Sequence, residues 1–331
     1  MSSTFPSRSS DRLDPLSDVI SLLRPRTVFA KGITGAGRWG VSYSTFGHPS
    51  FCAVLDGRCR LTVEGHAPLT LEADDFLLLP ATPAFTMTGF EPVSTTRQVP
   101  RAVAMQGAVR HGRRAGPAEV SILGGWCVFD AANSALLVSL LPGVIHVRGV
   151  ERLSTLVRLL ATEAAEQRPG RDLMLTRLVE ALLIEALRAA PDPSAPGGLL
   201  RGLADVRLAP ALRHMHQCID RRMTVADLAR TAGLSRSAFF DRFSRTVGIA
   251  PMDYLQRWRL AVAKDLLQRD GLSVSEVAAR VGYDVVTSFS AAFSREVGIP
   301  PRQFAIRARA STGETAAGTR RRQVRTARGR L

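Results

Sequence analysis

The sequence predicts an α+β, multidomain fold: an N-terminal β-barrel with flanking helices, followed by a C-terminal all-α domain of two helix-turn-helix units. Three observations carry this. Short apolar runs broken by turn residues fill the first third, the apolar period lengthens to that of helices near Val150, and a nine-residue motif recurs in the last third. At 331 residues and 45% hydrophobic, the chain is long enough to bury more than one core.

Residues 1–15, opening MSSTFPSRSSDRLD, lack apolar periodicity and the basic-then-apolar order of a secretory signal, which predicts a disordered N-terminus. From about Leu16 to Arg110 the apolar runs are short, carry β-branched or aromatic residues, and are broken by Gly, Pro and Asp-Gly. That pattern predicts strands. FCAVL, Asp56-Gly57 and RCRLTV read as a hairpin, because Asp-Gly suits the positive backbone angles of a two-residue turn. A second turn follows at Glu64-Gly65-His66, and LTLEADDFLLLP resumes the extended pattern up to Pro80. Many short strands in series make a barrel or sandwich, assigned to residues 16–145.

Over residues 146–190 the period changes. ERLSTLVRLLATEAAEQ and DLMLTRLVEALLIEALRAA place apolar residues three and four apart, as amphipathic helices do. PDPSAPGG cannot continue a helix, so residues 191–202 read as a flexible linker. An all-helical domain follows over 203–307, and the arginine-rich stretch 308–331, nearly devoid of large apolar residues, reads as a disordered tail.

The repeat is the most specific signal. FSRTVGIAP (Phe243–Pro251) and FSREVGIPP (Phe293–Pro301) agree at seven of nine positions, about fifty residues apart. The same frame precedes each: Val225, Leu228, Ala229 and Gly233 in one copy, Val274, Val277, Ala278 and Gly282 in the other. Thr224 and Ser273 are placed as N-caps with an acid three residues on, Asp227 or Glu276; Ser273 and Glu276 form a capping box. The two alanines suit a close helix crossing, and the two glycines suit the left-handed backbone of a sharp inter-helix turn. The second helix of each copy then carries a core stripe, Phe239, Phe243 and Val247, or Phe289, Phe293 and Val297.

With those stripes buried, the opposite faces are left for a partner. In the first copy they offer Arg236, Ser237, Phe240, Asp241, Arg242 and Arg245; in the second, Val286, Thr287, Ser288, Ala291 and Arg295. These side chains reach base edges and phosphates if the helix enters a major groove, Asp241 accepting from a cytosine amine and Arg236 or Arg245 suiting phosphate or guanine. The second face is less polar and predicts more apolar reading, against thymine methyl groups. PMDYLQRWRLAVAKDLLQ predicts one helix between the copies from about Met252 to Gln268, roughly 25 Å long, that sets their spacing. An ordinary helical bundle also uses helix, Gly turn and helix, but two copies with basic outer faces favour DNA. The net charge of +15 agrees with a polyanionic partner, although all but two of the 44 cations are arginine, a bias that base composition alone can produce.

These residues resemble the AraC/XylS family of regulators, over about Leu203 to Arg307. GLSRSAFFDRFSRTVGIAPMDYLQRWRLAVAKDLL and VSEVAARVGYDVVTSFSAAFSREVGIPPRQF carry the likeness, including a second turn one residue longer than the first. The N-terminal part resembles the cupin-type effector domain of one AraC subgroup through DPLSDVISLLRPR, the Trp39 segment, FCAVLDGRCRLTVEG, DDFLLLPATPAF and LLPGVIHVRG. The resemblance implies a cupin-like jelly roll that senses a ligand or chemical condition and helps form a homodimer. It also implies a cytoplasmic transcription regulator whose partners are double-stranded DNA, RNA polymerase and a small-molecule effector, with no membrane association.

No catalytic residue, cofactor or metal site is predicted. Metal-binding cupins carry a His-x-His pair before the first turn and a further His later; here Phe51, Cys52 and Ala53, then Ala84 and Phe85, stand in those regions, while His48 and His66 lie elsewhere. The alternative, a cupin metalloenzyme with an attached DNA-binding domain, needs converging His and carboxylate ligands in the barrel. Some relatives respond to oxidants through cysteine, which makes Cys52 and Cys59 the effector or redox candidates; across an Asp56-Gly57 hairpin they stand one diagonal apart, too far for a disulfide without movement. His146 reads as a hydrogen-bonded structural residue, Trp258 as packing, and His214 with His216 as no metal pair.

Overall fold

The computed structural model describes residues 14–23, 25–91, 96–98, 108–129, 141–189, 198–269 and 272–308. The predicted disordered start up to 13, residues 191–197 of the predicted linker and the basic tail from 309 lie outside the described residues.

The first element corrects the expectation of strands from Leu16. It is a helix, α1 (Pro15–Leu23), with Leu16, Val19, Ile20 and Leu23 buried on one face. Those spacings of three and four are a helical stripe, and the Asp14 carboxylate accepts from the N–H groups of Leu16 and Ser17, both at 3.4 Å, as an N-cap.

Among the described residues ten strands follow: β1 (Pro25–Ala36), β2 (Gly40–Tyr43), β3 (Ser50–Val63), β4 (Leu69–Glu72), β5 (Phe76–Leu79), β6 (Phe85–Thr88), β7 (Thr96–Gln98), β8 (Val109–Gly112), β9 (Val120–Phe129) and β10 (Ile145–Val147). They run in the order β7-β2-β6-β3-β9-β1-β8, with β4 and β5 also on β3 and β10 on β5. The result is the nearly closed barrel that the sequence predicts.

The barrel turns on β3, and here the hairpin reading is wrong. Asp56-Gly57 is not a turn but an interior point of one 14-residue strand. The first half of β3 pairs with β5 and β9, and the second half with β4 and β6. The register on β9 slips between Val54 and Asp56, and Gly57 takes φ +74°. This is a β-bulge with a left-handed glycine, which bends the strand from one sheet into the other. A side chain on Gly57 would also overlap the Glu119 carbonyl oxygen just before β9. The bulge reverses the alternation of faces, so Cys52 and Val54 before it and Cys59, Leu61 and Val63 after it all point into one core. The second predicted turn, Glu64-Gly65-His66, does join two strands, β3 and β4.

Helices α2 (Glu151–Ala165) and α3 (Arg171–Ala189) pack on each other and on β1, and α3 also meets α1 and β10. The next helix, α4 (Leu199–Ala204), starts inside the segment predicted as linker, with Leu199 fully buried. Then come α5 (Leu208–Gln217), α6 (Val225–Thr231), α7 (Arg236–Val247), α8 (Pro251–Arg269), α9 (Val274–Arg280), α10 (Val286–Val297) and a closing helix over 301–308. By contacts the chain forms two compact units, Met1–Ala209 with Arg242–Gly248, and Pro210–Asp241 with Ile249–Leu331.

Candidate nucleic-acid interface

The two copies of the repeat fold by the same local chemistry. The Thr224 hydroxyl accepts from the Asp227 N–H at 3.2 Å while the Asp227 carboxylate accepts from the Thr224 N–H at 3.0 Å. Ser273 and Glu276 repeat the exchange at 3.2 and 2.8 Å. Both helices α6 and α9 therefore begin on a capping box, one more than the spacing alone assigned. These bonds, the Thr224 and Ser273 hydroxyls first, hold the Asp227 and Glu276 carboxyls below the usual carboxylate range.

Each first helix ends on the predicted glycine. Gly233 has φ +63° and Gly282 has φ +77°. Around them the hydrogen bonds duplicate: Leu234 N–H to Ala229 O at 3.0 Å and Tyr283 N–H to Ala278 O at 2.9 Å, with Gly233 to Arg230 and Gly282 to Ala279 both at 3.1 Å. That pair of bonds is the C-terminal motif that needs a left-handed residue. Ala229 and Ala278 are buried, as are Phe239, Phe243, Val247, Phe289 and Phe293, so the stripe chosen from the spacing does face inward. Val297 is only half-buried.

The opposite faces are open. Arg236, Ser237, Phe240, Asp241, Arg242 and Arg245 on α7 are all exposed, and so are Val286, Thr287, Ser288, Ala291 and Arg295 on α10. Phe240 and Val286, at 44% and 39% exposure, are large apolar side chains held in water on these faces. The entries to the helices differ: the Ser235 hydroxyl accepts from the Ala238 N–H at 3.3 Å, whereas Val285 before α10 provides no side-chain cap.

Asp205 is a residue the sequence did not single out, and Arg259, which with Arg257 the sequence reads as a phosphate clamp or a solvated side chain, binds backbone carbonyls instead. Asp205 accepts from the Arg207 and Leu208 N–H groups at 2.9 and 3.2 Å, capping α5, and from Arg242 Nε at 2.8 Å. Burial pushes its carboxyl up, but these hydrogen bonds outweigh burial and leave it below the usual range. Arg242 is thereby an anchor as well as an exposed cation. Arg259 on α8 donates to the Ile219 and Arg221 carbonyls at 3.0 and 2.5 Å, and lies close enough to Gly282 that a Cβ there would come within 2.5 Å of its Nη2. One guanidinium thus ties the chain before the first unit to the turn of the second, and the Arg222–Asp284 ion pair at 2.7 Å repeats the link. The only sequence signal was the glycine, which serves its own backbone and the neighbouring guanidinium together.

A cupin model matches residues 14–192 and a helix-turn-helix domain model matches residues 228–307. A putative AraC-like transcription regulator of Streptomyces lividans is 33% identical over 306 residues, covering 88% of this chain and 98% of its own length. This chain belongs to the AraC-like transcription regulators. A second such regulator, from Streptomyces antibioticus, is 32% identical over 300 residues, with 88% and 98% covered. The transcriptional regulator AlkR of Acinetobacter baylyi is 33% identical over 184 residues, 53% of this chain and 60% of its own.

In this AraC-like regulator the helix-turn-helix units are the DNA-binding part, and the N-terminal part is a cupin barrel. Among the described residues, no three His, Cys, Asp or Glu side chains converge as a metal site. Phe51 and Cys52, at the position of a cupin's metal-binding pair, instead line an apolar cavity. His146 Nε2 lies 3.0 Å from Asp75 Oδ2, and His216 is buried between Tyr254, 2.7 Å from its hydroxyl, and the Trp258 ring, 4.1 Å away between centroids. Both histidines are structural, and Trp258 is packing. Cys52, Cys59 and Cys127 are buried and unbridged. Burial pushes the Cys59 and Cys127 thiols up to about 12 and Cys52 well above its ordinary value, the neighbouring Cys59 and Asp75 adding to the last. No helix of the described residues is long and apolar enough to cross a membrane.

Proposed function

We propose that this regulator reads promoter DNA through the exposed faces of α7 and α10 and that a small molecule sensed in the barrel controls it, without catalysis by either part. What carries the DNA reading is the duplication: two capped helices, each ending on a left-handed glycine, each followed by a helix whose buried stripe leaves a cationic or small-residue face in solvent. On α7, Arg236 and Asp241 are base-reading residues and Arg245 grips phosphate; on α10, Val286 and Ala291 meet thymine methyl groups, with Thr287 and Ser288 at base edges and Arg295 at phosphate. Ser237 and Phe240 complete the first face.

Cys52 and Cys59 act as barrel core in this reading, because thiols held protonated by burial are poor nucleophiles and poor oxidation targets. The cytoplasm is where a regulator meets both its promoter and RNA polymerase.

Binding of the purified protein to fragments of its own upstream region, measured by fluorescence anisotropy at several salt concentrations, tests the proposal. The expected result is a preferred sequence held at least ~10³-fold tighter than random duplex. Equal affinity for all duplexes, or none at low salt, overturns it.

A further inference from the structure

Arg242 lies three residues after the buried Phe239 and one before the buried Phe243. At ~100° per residue it therefore stands on the flank of α7, between the core stripe and the exposed centre at Asp241 and Arg245. When a helix lies in a major groove, its centre meets base edges and its flanks meet the sugar–phosphate walls. A cation on the flank is suited to phosphate rather than to a base.

A free arginine makes a poor clamp, because the rotamer freedom of its long side chain is lost on binding. Here the side chain is ordered in advance: Asp205 Oδ2 accepts from Arg242 Nε at 2.8 Å. The carboxylate is itself fixed. It caps α5 through the Arg207 and Leu208 N–H groups, and its side chain is only 12% exposed. The Gly198 N–H donates to the Thr246 carbonyl at 3.0 Å, which ties the segment leading to Asp205 to α7 at a second point. Arg242 still keeps 45% of its side chain exposed, and the Nε bond engages one of five N–H donors, so the Nη edge of the planar fork remains for an anion. Burial pushes the Asp205 carboxyl up, but its three hydrogen bonds outweigh burial and leave it ionised at neutral pH.

We propose that Asp205, which precedes the first repeat unit, is a positioning residue for DNA binding: it holds the Arg242 guanidinium as a clamp for one backbone phosphate beside α7. The inference rests on the reading that α7 meets DNA through its exposed face. It also fixes a sign. Removing a carboxylate next to a polyanion strengthens binding when charge alone acts, whereas losing a positioned clamp weakens it.

Duplex binding is measured by fluorescence anisotropy across a salt series, on the preferred duplex from the upstream region and on a random duplex of the same length. Wild type is compared with Asp205→Asn, Arg242→Met and the double variant, each checked by urea unfolding. Asn keeps the α5 cap and the side-chain shape while removing the charge. Each single variant is expected to bind both duplexes about 10-fold more weakly and to flatten the log–log salt slope by about 0.9, one phosphate contact, and the double variant to lose nothing further. Unchanged or tighter binding by folded Asp205→Asn, an unchanged slope in Arg242→Met, or additive losses in the double variant overturns the positioning role. So does a new base preference or a loss confined to the preferred duplex, because either marks a displaced α7. Where Asp205→Asn proves unfolded, Arg242→Lys decides: it leaves the cap untouched and is expected to lose as much as Arg242→Met, since a point charge cannot reproduce a fork held between carboxylate and phosphate. Full affinity in Arg242→Lys overturns the proposal. Wild type that binds no duplex at low salt removes the DNA reading of α7 and this inference together, whereas the other adverse outcomes remove the inference alone.

Discussion

At the scale of single residues, exposure and hydrogen bonding divide the charged side chains into proposed readers and anchors. Arg236 and Asp241 are exposed, so Arg236→Ala or Asp241→Ala is expected to change which base is preferred by about 1–3 kcal/mol while leaving the helical signal intact. Arg242 differs, because its Nε is spent on Asp205. Asp205→Ala removes that bond and the α5 cap together and is expected to lower stability by about 1–3 kcal/mol in urea unfolding, with no new base preference. The cysteines give a pH prediction. A thiol or phenol whose folded value is raised stabilises the fold fully below its unfolded value and loses that contribution as pH climbs toward the folded one. Cys59 and Cys127, raised from 9 to about 12, and Tyr43, raised from 10 to about 12, place the loss between pH 9 and 12. Thermal unfolding is expected to weaken across that window, and at pH 8 the three buried thiols should resist a thiol reagent until the protein unfolds. Rapid labelling of Cys52 or Cys59 in native protein would restore the redox reading.

Among the elements, α8 is the one that sets geometry. Its 19 residues span roughly 28 Å as a single helix, and Arg259 near its middle ties the 219–221 segment to the turn at Gly282. Arg259→Met is expected to weaken binding to a site read by both units more than to either half alone, measured on full and half sites in parallel. Equal loss on all three would make Arg259 a packing residue only. Gly282→Ala strains a backbone at φ +77° and also crowds that guanidinium, so it should cost more stability than the ~1–3 kcal/mol of left-handed strain alone, measured by urea unfolding. The paired elements were legible in the sequence because caps, glycine turns and apolar stripes are decided within a few residues of one another. The strand β3 was not: Asp-Gly satisfies a tight turn and a bulge equally well, and the difference lies in β5 and β9 on one side and β4 and β6 on the other, partners as far along the chain as Trp126 is from Ser50. The short α1 failed for a related reason, a four-residue stripe read as extended because strands surround it.

For the whole molecule, charge and modularity set expectations. The last stretch carries six arginines between Arg320 and Arg330, so truncation after Ala310 should flatten the salt dependence of DNA binding, each lost phosphate contact lowering the log–log slope by about 0.9. Sequence preference should be unchanged, since such contacts carry no base information. Two cores with separate local logic formed this chain, a barrel closed by distant pairings and a helical domain built twice over. By itself the sequence determined the repeat, its caps and turns, the exposed helix faces and hence the regulator, because helical contacts fall three and four residues apart and leave their mark in spacing. Only the tertiary structure decided that β3 bends through the barrel, that Arg259 and Asp205 are ties, and that Phe51 and Cys52 line an apolar cavity, because strand pairing joins residues whose separation along the chain carries no period to read.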